Sequence, residues 1–127
     1  MRTLALLLLA ACVSIARADD WSTADTVRQG ALTALLVADW AQTRWIVKNP
    51  GDVHERNLIL GPHPSTGQVN NYFAMVAVGH AAVSYTLPRD WSFFGLHFNP
   101  REAWSYVWIG VELETVRANY VGIRYGF

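Results

Sequence analysis

Polar residues punctuate three apolar runs along this chain, and that pattern sets the expected architecture. From Asp19 to about Lys48, Leu32, Leu35, Leu36, Trp40 and Ile46 recur near helical spacing, with Asp39 the exception among them. Ser22 or Thr23 is placed to cap this helix. Asp25 falls early in it, where the helix dipole favours an acid. Gly30 to Val47 is about long enough to cross a bilayer, yet its second half carries Asp39, Gln42, Thr43 and Arg44. Asn49-Pro50-Gly51 ends the run. A second helix is predicted from Val69 to Leu87, opened by Asn70-Asn71 and stopped by Pro88, with His80 its only strongly polar interior residue. Small residues (Ala74, Ala77, Gly79, Ala81, Ala82, Ser84) dominate it, as in membrane helices whose backbones approach closely. The third helix runs from about Arg101 to Tyr120. It places Ser105, Trp108, Glu112, Thr115 and Asn119 along one face, and Glu114 on another with Arg117 as an ion-pair partner.

Two connections separate these helices. Residues 49–69 contain Pro50-Gly51, Gly61-Pro62, Pro64 and Gly67, and Leu58-Ile59-Leu60 mark the segment as a packed, stiff loop. Within it, His63 between two prolines reads as part of a tight turn. Residues 88–102 are dense in aromatics, from Trp91 through Phe93-Phe94 to Phe98, and His97 sits among them. Such residues suit the interfacial belt beside a membrane segment. The fold class expected is all-α, a small three-helix bundle of membrane type. A competing architecture comes from Val121, Ile123, Tyr125 and Phe127, whose alternation resembles the last strand of an outer-membrane barrel. The Ala- and Leu-rich runs upstream do not alternate and oppose it.

Composition sharpens the membrane expectation. Of 127 residues, 52% are hydrophobic and only 16% charged, below the roughly 25% of an average soluble domain. One domain fits this length, and we assign it to residues 19–127. Residues 1–18 have the layout of a secretory signal peptide: Arg2, the apolar run Leu4 to Ala11, then Ala16-Arg17-Ala18 as a cleavage site. Leu9-Ala10-Ala11-Cys12 offers the alternative of lipidation at Cys12. Cleavage after Ala18 leaves no cysteine and no disulfide chemistry. The net charge is zero and the basic residues are scattered, which gives nucleic-acid binding no support. The expected location is a membrane reached by export, the inner membrane first, with outer membrane or periplasm as alternatives. The expected partners are membrane lipid and a partner helix or a second copy.

The candidate chemistry begins at Asp39. An ionisable group inside an apolar helix is costly and faces a bundle interior with a partner. Gln42 and Thr43 share its face, and His80, Glu112 and Asn119 are the expected remaining walls of a polar interior, with Arg44 as a further partner for Asp39. One reading makes this interior a lock on helix register. The other makes Asp39, Glu55, His80 and Glu112 acid–base catalysts, or His54, Glu55, His80 and Glu112 ligands of a divalent metal that activates water. His54-Glu55 lacks the second histidine of a zinc-protease helix, so no cofactor is assigned.

The arrangement Asp39-Trp40-x-Gln42-Thr43, Glu55-x-Asn57-x-x-Leu60-Gly61-x-x-Pro64-Ser65, Asn71-Tyr72-Phe73, His80, Leu87-Pro88, Glu112 and Asn119 resembles small uncharacterised multi-helix membrane proteins of bacteria and their phages. The resemblance covers most of the chain after residue 18. It implies the helical membrane architecture and no activity. Asn57-Leu58 stands where that pattern has Asn-Pro.

Overall fold

The computed structural model describes residues 21–49, 51, 57 and 59–125. The expected signal peptide, with Cys12 and Ala18, and the candidates His54 and Glu55 lie outside the described residues. Among the described residues three helices form the body: α1 (Thr23–Lys48), α2 (Thr66–Thr86) and α3 (Pro100–Tyr125). A two-stranded antiparallel hairpin, β1 (Trp91–Phe93) and β2 (Leu96–Phe98), joins α2 to α3.

Local chemistry sets the helix boundaries. Ser22 and Asp25 form a capping box at α1: the Ser22 hydroxyl accepts from the Asp25 amide (3.1 Å), and the Asp25 carboxylate accepts from the Ser22 amide (2.9 Å). Asn49 closes the other end, its side-chain amide donating to the Trp45 carbonyl at 2.8 Å. Ser65 and Gln68 build a second capping box, at 3.2 and 2.8 Å. It starts α2 at Thr66, ahead of the expected Val69. Ser65→Ala should therefore lower stability by about 1 kcal/mol, read as a lower thermal midpoint. Asn99 accepts from the Glu102 amide (3.0 Å) at the head of α3, and Pro100 takes the first helical position, where its missing N–H costs nothing. The third helix continues to Tyr125, five residues beyond the expected end. Val121, Ile123 and Tyr125 are therefore helical, which removes the strand on which the barrel alternative rested.

Contacts fix the topology. Asp25 meets Arg101 and Gln42 meets Val116, so α1 and α3 run parallel. Trp21 packs on Tyr85 and Trp40 donates to Asn70 at 2.9 Å, so α2 runs antiparallel to α1. A small apolar core of Leu32, Leu36, Val69 and Phe73 lies between α1 and α2, and Trp40, Trp108 and Ile109 pack against it.

The remaining burial is inverted. Asp25, Asp39, Thr43, His80, Ser84, Arg101, Ser105 and Glu112 are buried, whereas Val27, Val37, Met75, Val78, Val107, Val111 and Leu113 are exposed on the helices. Taken one at a time, no helix among the described residues is long and apolar enough to cross a membrane. The spanning character expected of the three helices is thus not supported by their hydropathy. Polar side chains on both inner and outer faces lower it: Asp39, Thr43, His80 and Glu112 are buried, while Asn70, Asn71, Glu114 and Arg117 are exposed.

The 88–102 segment, expected as an aromatic loop, is instead the hairpin. Phe94 and Gly95 occupy its turn with φ of +49° and +78°, the left-handed pair a two-residue hairpin loop requires. At the described end of the loop Leu60 packs against the core but Ile59 is 80% exposed, so the packing expected of Leu58-Ile59-Leu60 does not extend to Ile59. His63 is exposed and Pro64 buried, and the Asn57 carbonyl accepts from the Gly61 amide at 2.9 Å.

Candidate functional site in the polar interior

The polar interior has two ends. At one, Asp39 on α1 is 7% exposed and faces α3. The Asn119 side-chain amide donates to its Oδ1 at 2.6 Å, and the Thr43 hydroxyl donates to the same oxygen at 3.4 Å. Asp39 and Thr43 meet because they are one helical turn apart. Gln42 reaches across to the Val116 carbonyl at 3.1 Å, a second link from α1 to α3. Glu112, on the Asn119 face of α3, is also buried, and the Asp39 charge bears on it. Among the described residues no hydrogen-bond donor reaches Glu112 Oε2. Arg44, expected as a partner for Asp39, lies over the Trp40 ring at 4.9 Å.

His80 is buried against the Trp104 and Trp108 rings at 5.3 and 4.6 Å between centroids, and Trp108 stands one helical turn before Glu112 on α3. Its ring contacts are aromatic, and Nδ1 has no hydrogen-bond partner among the described residues. The structure thus gathers Asp39, Thr43, Asn119 and Glu112, with Gln42 beside them, and gives His80 an aromatic seat. Among the described residues no group of three or more His, Cys, Asp or Glu is placed to hold a metal ion. For the expected ligand set, this means that His80 and Glu112 do not join a third described ligand.

The other end was missed by sequence reasoning. Arg101 is 1% exposed. Its Nε donates to the carbonyls of Ser84 (2.9 Å) and Leu87 (3.1 Å), and its Nη1 lies 3.5 Å from Asp25 Oδ2. Asp25 also takes Arg28 at 2.7 Å, and Trp21 covers the Arg101 guanidinium at 5.3 Å. Arg101 therefore holds the C-terminal carbonyls of α2 and the first turn of α1 to the first turn of α3. A charge at a helix start reads as solvated in a sequence, and the one available signal was Asp25 with Arg28 at i+3.

Two grooves mark the outer surface. One, of about 290 Å³, runs between α1 and α2 past Leu36, Trp40, Phe73 and Ala77. The second, of about 630 Å³, adjoins it at Thr33 and Val37 and extends to Trp21 and Gly30. Neither is lined by Asp39, His80 or Glu112. Asp39 accepts from Asn119 and Thr43 and its charge reaches Glu112, but these grooves bring no substrate-sized space to them. Comparison of the chain with protein-family models, curated proteins and solved structures finds no match.

Proposed function

We propose that this chain is an exported envelope-membrane protein without catalytic activity of its own. Its three helices enter the bilayer together, the polar interior fixes their register, and the outer surface meets lipid and a partner helix. The observation that carries this reading is the inverted burial. Among the described residues eight polar or charged ones are buried beside five hydrophobic ones, while large apolar side chains point outward from every helix. In water that arrangement forgoes most of the hydrophobic driving force. In lipid the outward side chains match their solvent, and inward polar groups link the helices. Inward polar residues such as Asp39, Thr43 and Glu112 lower a helix's mean hydropathy without facing hydrocarbon, and the exposed Glu114 and Arg117 neutralise each other as an ion pair. The length of α2, 21 residues, corresponds to about 32 Å, close to the roughly 30 Å of a bilayer core.

The adjoining grooves supply the place for a partner. Gly30, Thr33, Ala34, Ala74 and Ala77 line them, and small residues allow close backbone approach by a neighbouring helix or a second copy. After a carbonate wash, the tagged full chain should stay in the membrane pellet. Recovery in the soluble fraction would overturn the reading.

A second reading, acid–base chemistry at Asp39 and Glu112, is favoured by one observation: the buried Glu112 Oε2 without a described donor, beside the Asp39 charge. Its hydrolytic or metal-dependent form adds His54, Glu55 and His80, of which the described His80 packs against Trp104 and Trp108 and joins no group of three metal-capable side chains among the described residues.

A further inference from the structure

We propose that the β1–β2 hairpin is an anchor that lies in the headgroup boundary of a phospholipid bilayer, with Phe94 as its deepest side chain. This rests on the membrane reading above and adds to it the segment that sets the depth of the bundle. The register pairs Trp91 with Phe98 and Phe93 with Leu96, so these four share one face of the ribbon; Ser92 and His97 pair on the other. All six strand residues are exposed, and Phe94 at the turn is 92% exposed. The hairpin is therefore amphipathic, with an apolar face that nothing in the chain's described residues covers.

That face is already assembled. Trp91 stacks near Phe93 at 5.8 Å and meets Phe98 edge-on at 5.1 Å, while Phe93 meets Phe94 at 4.5 Å. Rings that are ordered before docking lose little further side-chain freedom on docking. A two-stranded ribbon of this size is marginal in water by itself, so an apolar surface under it contributes to its order.

Position selects lipid as the occupant. The hairpin leaves α2 at its C-terminal end and returns into α3 at its N-terminal end, beside the Asp25–Arg101 ion pair. With α2 matching the bilayer core in length, that end lies at the headgroup level. Tryptophan and other amphipathic rings are enriched there. Ser92 and His97 then face water and the aromatic plate faces the acyl boundary, continuous with the outward apolar side chains of the helices.

The test uses the full chain with Cys12→Ser, reconstituted in phosphatidylethanolamine–phosphatidylglycerol vesicles. An environment-sensitive dye is attached at Phe94→Cys in one sample and at Ser92→Cys in another. Both sites are exposed in the turn or on the polar face, and circular dichroism checks that each labelled chain keeps its helices. The dye at position 94 should be quenched strongly by lipids brominated near the headgroup, and several-fold less by aqueous iodide than the dye at position 92. Equal iodide quenching at both positions, in chains that float with the vesicles, would overturn the anchor and leave the membrane reading standing. Shielding at position 94 from both iodide and bromolipid would also overturn it, because protein rather than lipid would then cover the face. Chains that fail to float with the vesicles at all would remove the membrane reading itself.

Discussion

Replacing Arg101 with methionine is expected to destabilise the bundle by roughly 3–5 kcal/mol, the usual cost of removing one partner from a buried ion pair. The side chain of Arg101 is 2% exposed and that of Asp25 1%. Methionine fills similar space but leaves the carbonyls of Ser84 and Leu87 without their donor. Those carbonyls belong to the last turn of α2 and the residue beyond it, where a helix has unsatisfied acceptors and the negative end of its dipole. Asp25 would keep Arg28 at 2.7 Å, which places the loss at the low end of that range. Arg101→Lys should fall between, because an ammonium keeps the charge but lacks the planar fork that serves several acceptors. Equilibrium unfolding of the three proteins in the same detergent measures the order. Arg117→Met supplies the control, since its pair with Glu114 at 2.6 Å is exposed and its loss should leave the midpoint unchanged. An Arg101→Met protein as stable as the parent would mean that the ion pair does not join the helices.

Two levels of the structure were legible to different degrees in the sequence, for physical reasons that particular residues show. Helix existence followed from the spacing of Leu32, Leu36 and Ile46 and from the stops at Asn49 and Pro88, because local propensity and capping decide it. The start of α2 was set too late, since Val69 opens the apolar run but Ser65 and Gln68 make the cap. The hairpin was overlooked because Phe-Gly is not the usual pair for a two-residue turn, although Trp91, Phe93, Leu96 and Phe98 do alternate around it. The inward face of α3 was readable: Ser105 and Glu112 are buried, and Trp108, Thr115 and Asn119 partly so. What spacing along one helix cannot give is distance between helices. Asp39 bonds to Asn119, whereas the ring contacts of His80 are with Trp104 and Trp108. Aromatic rings claimed the imidazole, a choice made by packing rather than by residue type.

The other large effect lies at Asp39, where two substitutions should move stability in opposite directions. Asn119→Leu removes the 2.6 Å donor from a buried carboxylate and should cost roughly 1.5–3 kcal/mol, as for hydrogen bonds to charged groups. Adding Asp39→Leu to that variant should restore part of the loss, since replacing both partners by apolar groups leaves no stranded charge. A double-mutant cycle over the two positions isolates their coupling, and a value near zero would remove Asp39–Asn119 as a register lock. Glu112→Gln works on the same interior with the other sign. Burial, and then the Asp39 charge, push its carboxyl up to about 7, and its Oε2 has no described donor. A neutral amide of the same shape should therefore raise the unfolding midpoint, most clearly above that pH, where the parent must carry the buried charge. A gain would mean that burial and the Asp39 charge strain this carboxylate and that the register lock does not need it. A loss would place Glu112 with Asp39 and Asn119 in the lock. The sign of that one shift tells whether Glu112 belongs to the Asp39–Asn119 lock or only borders it.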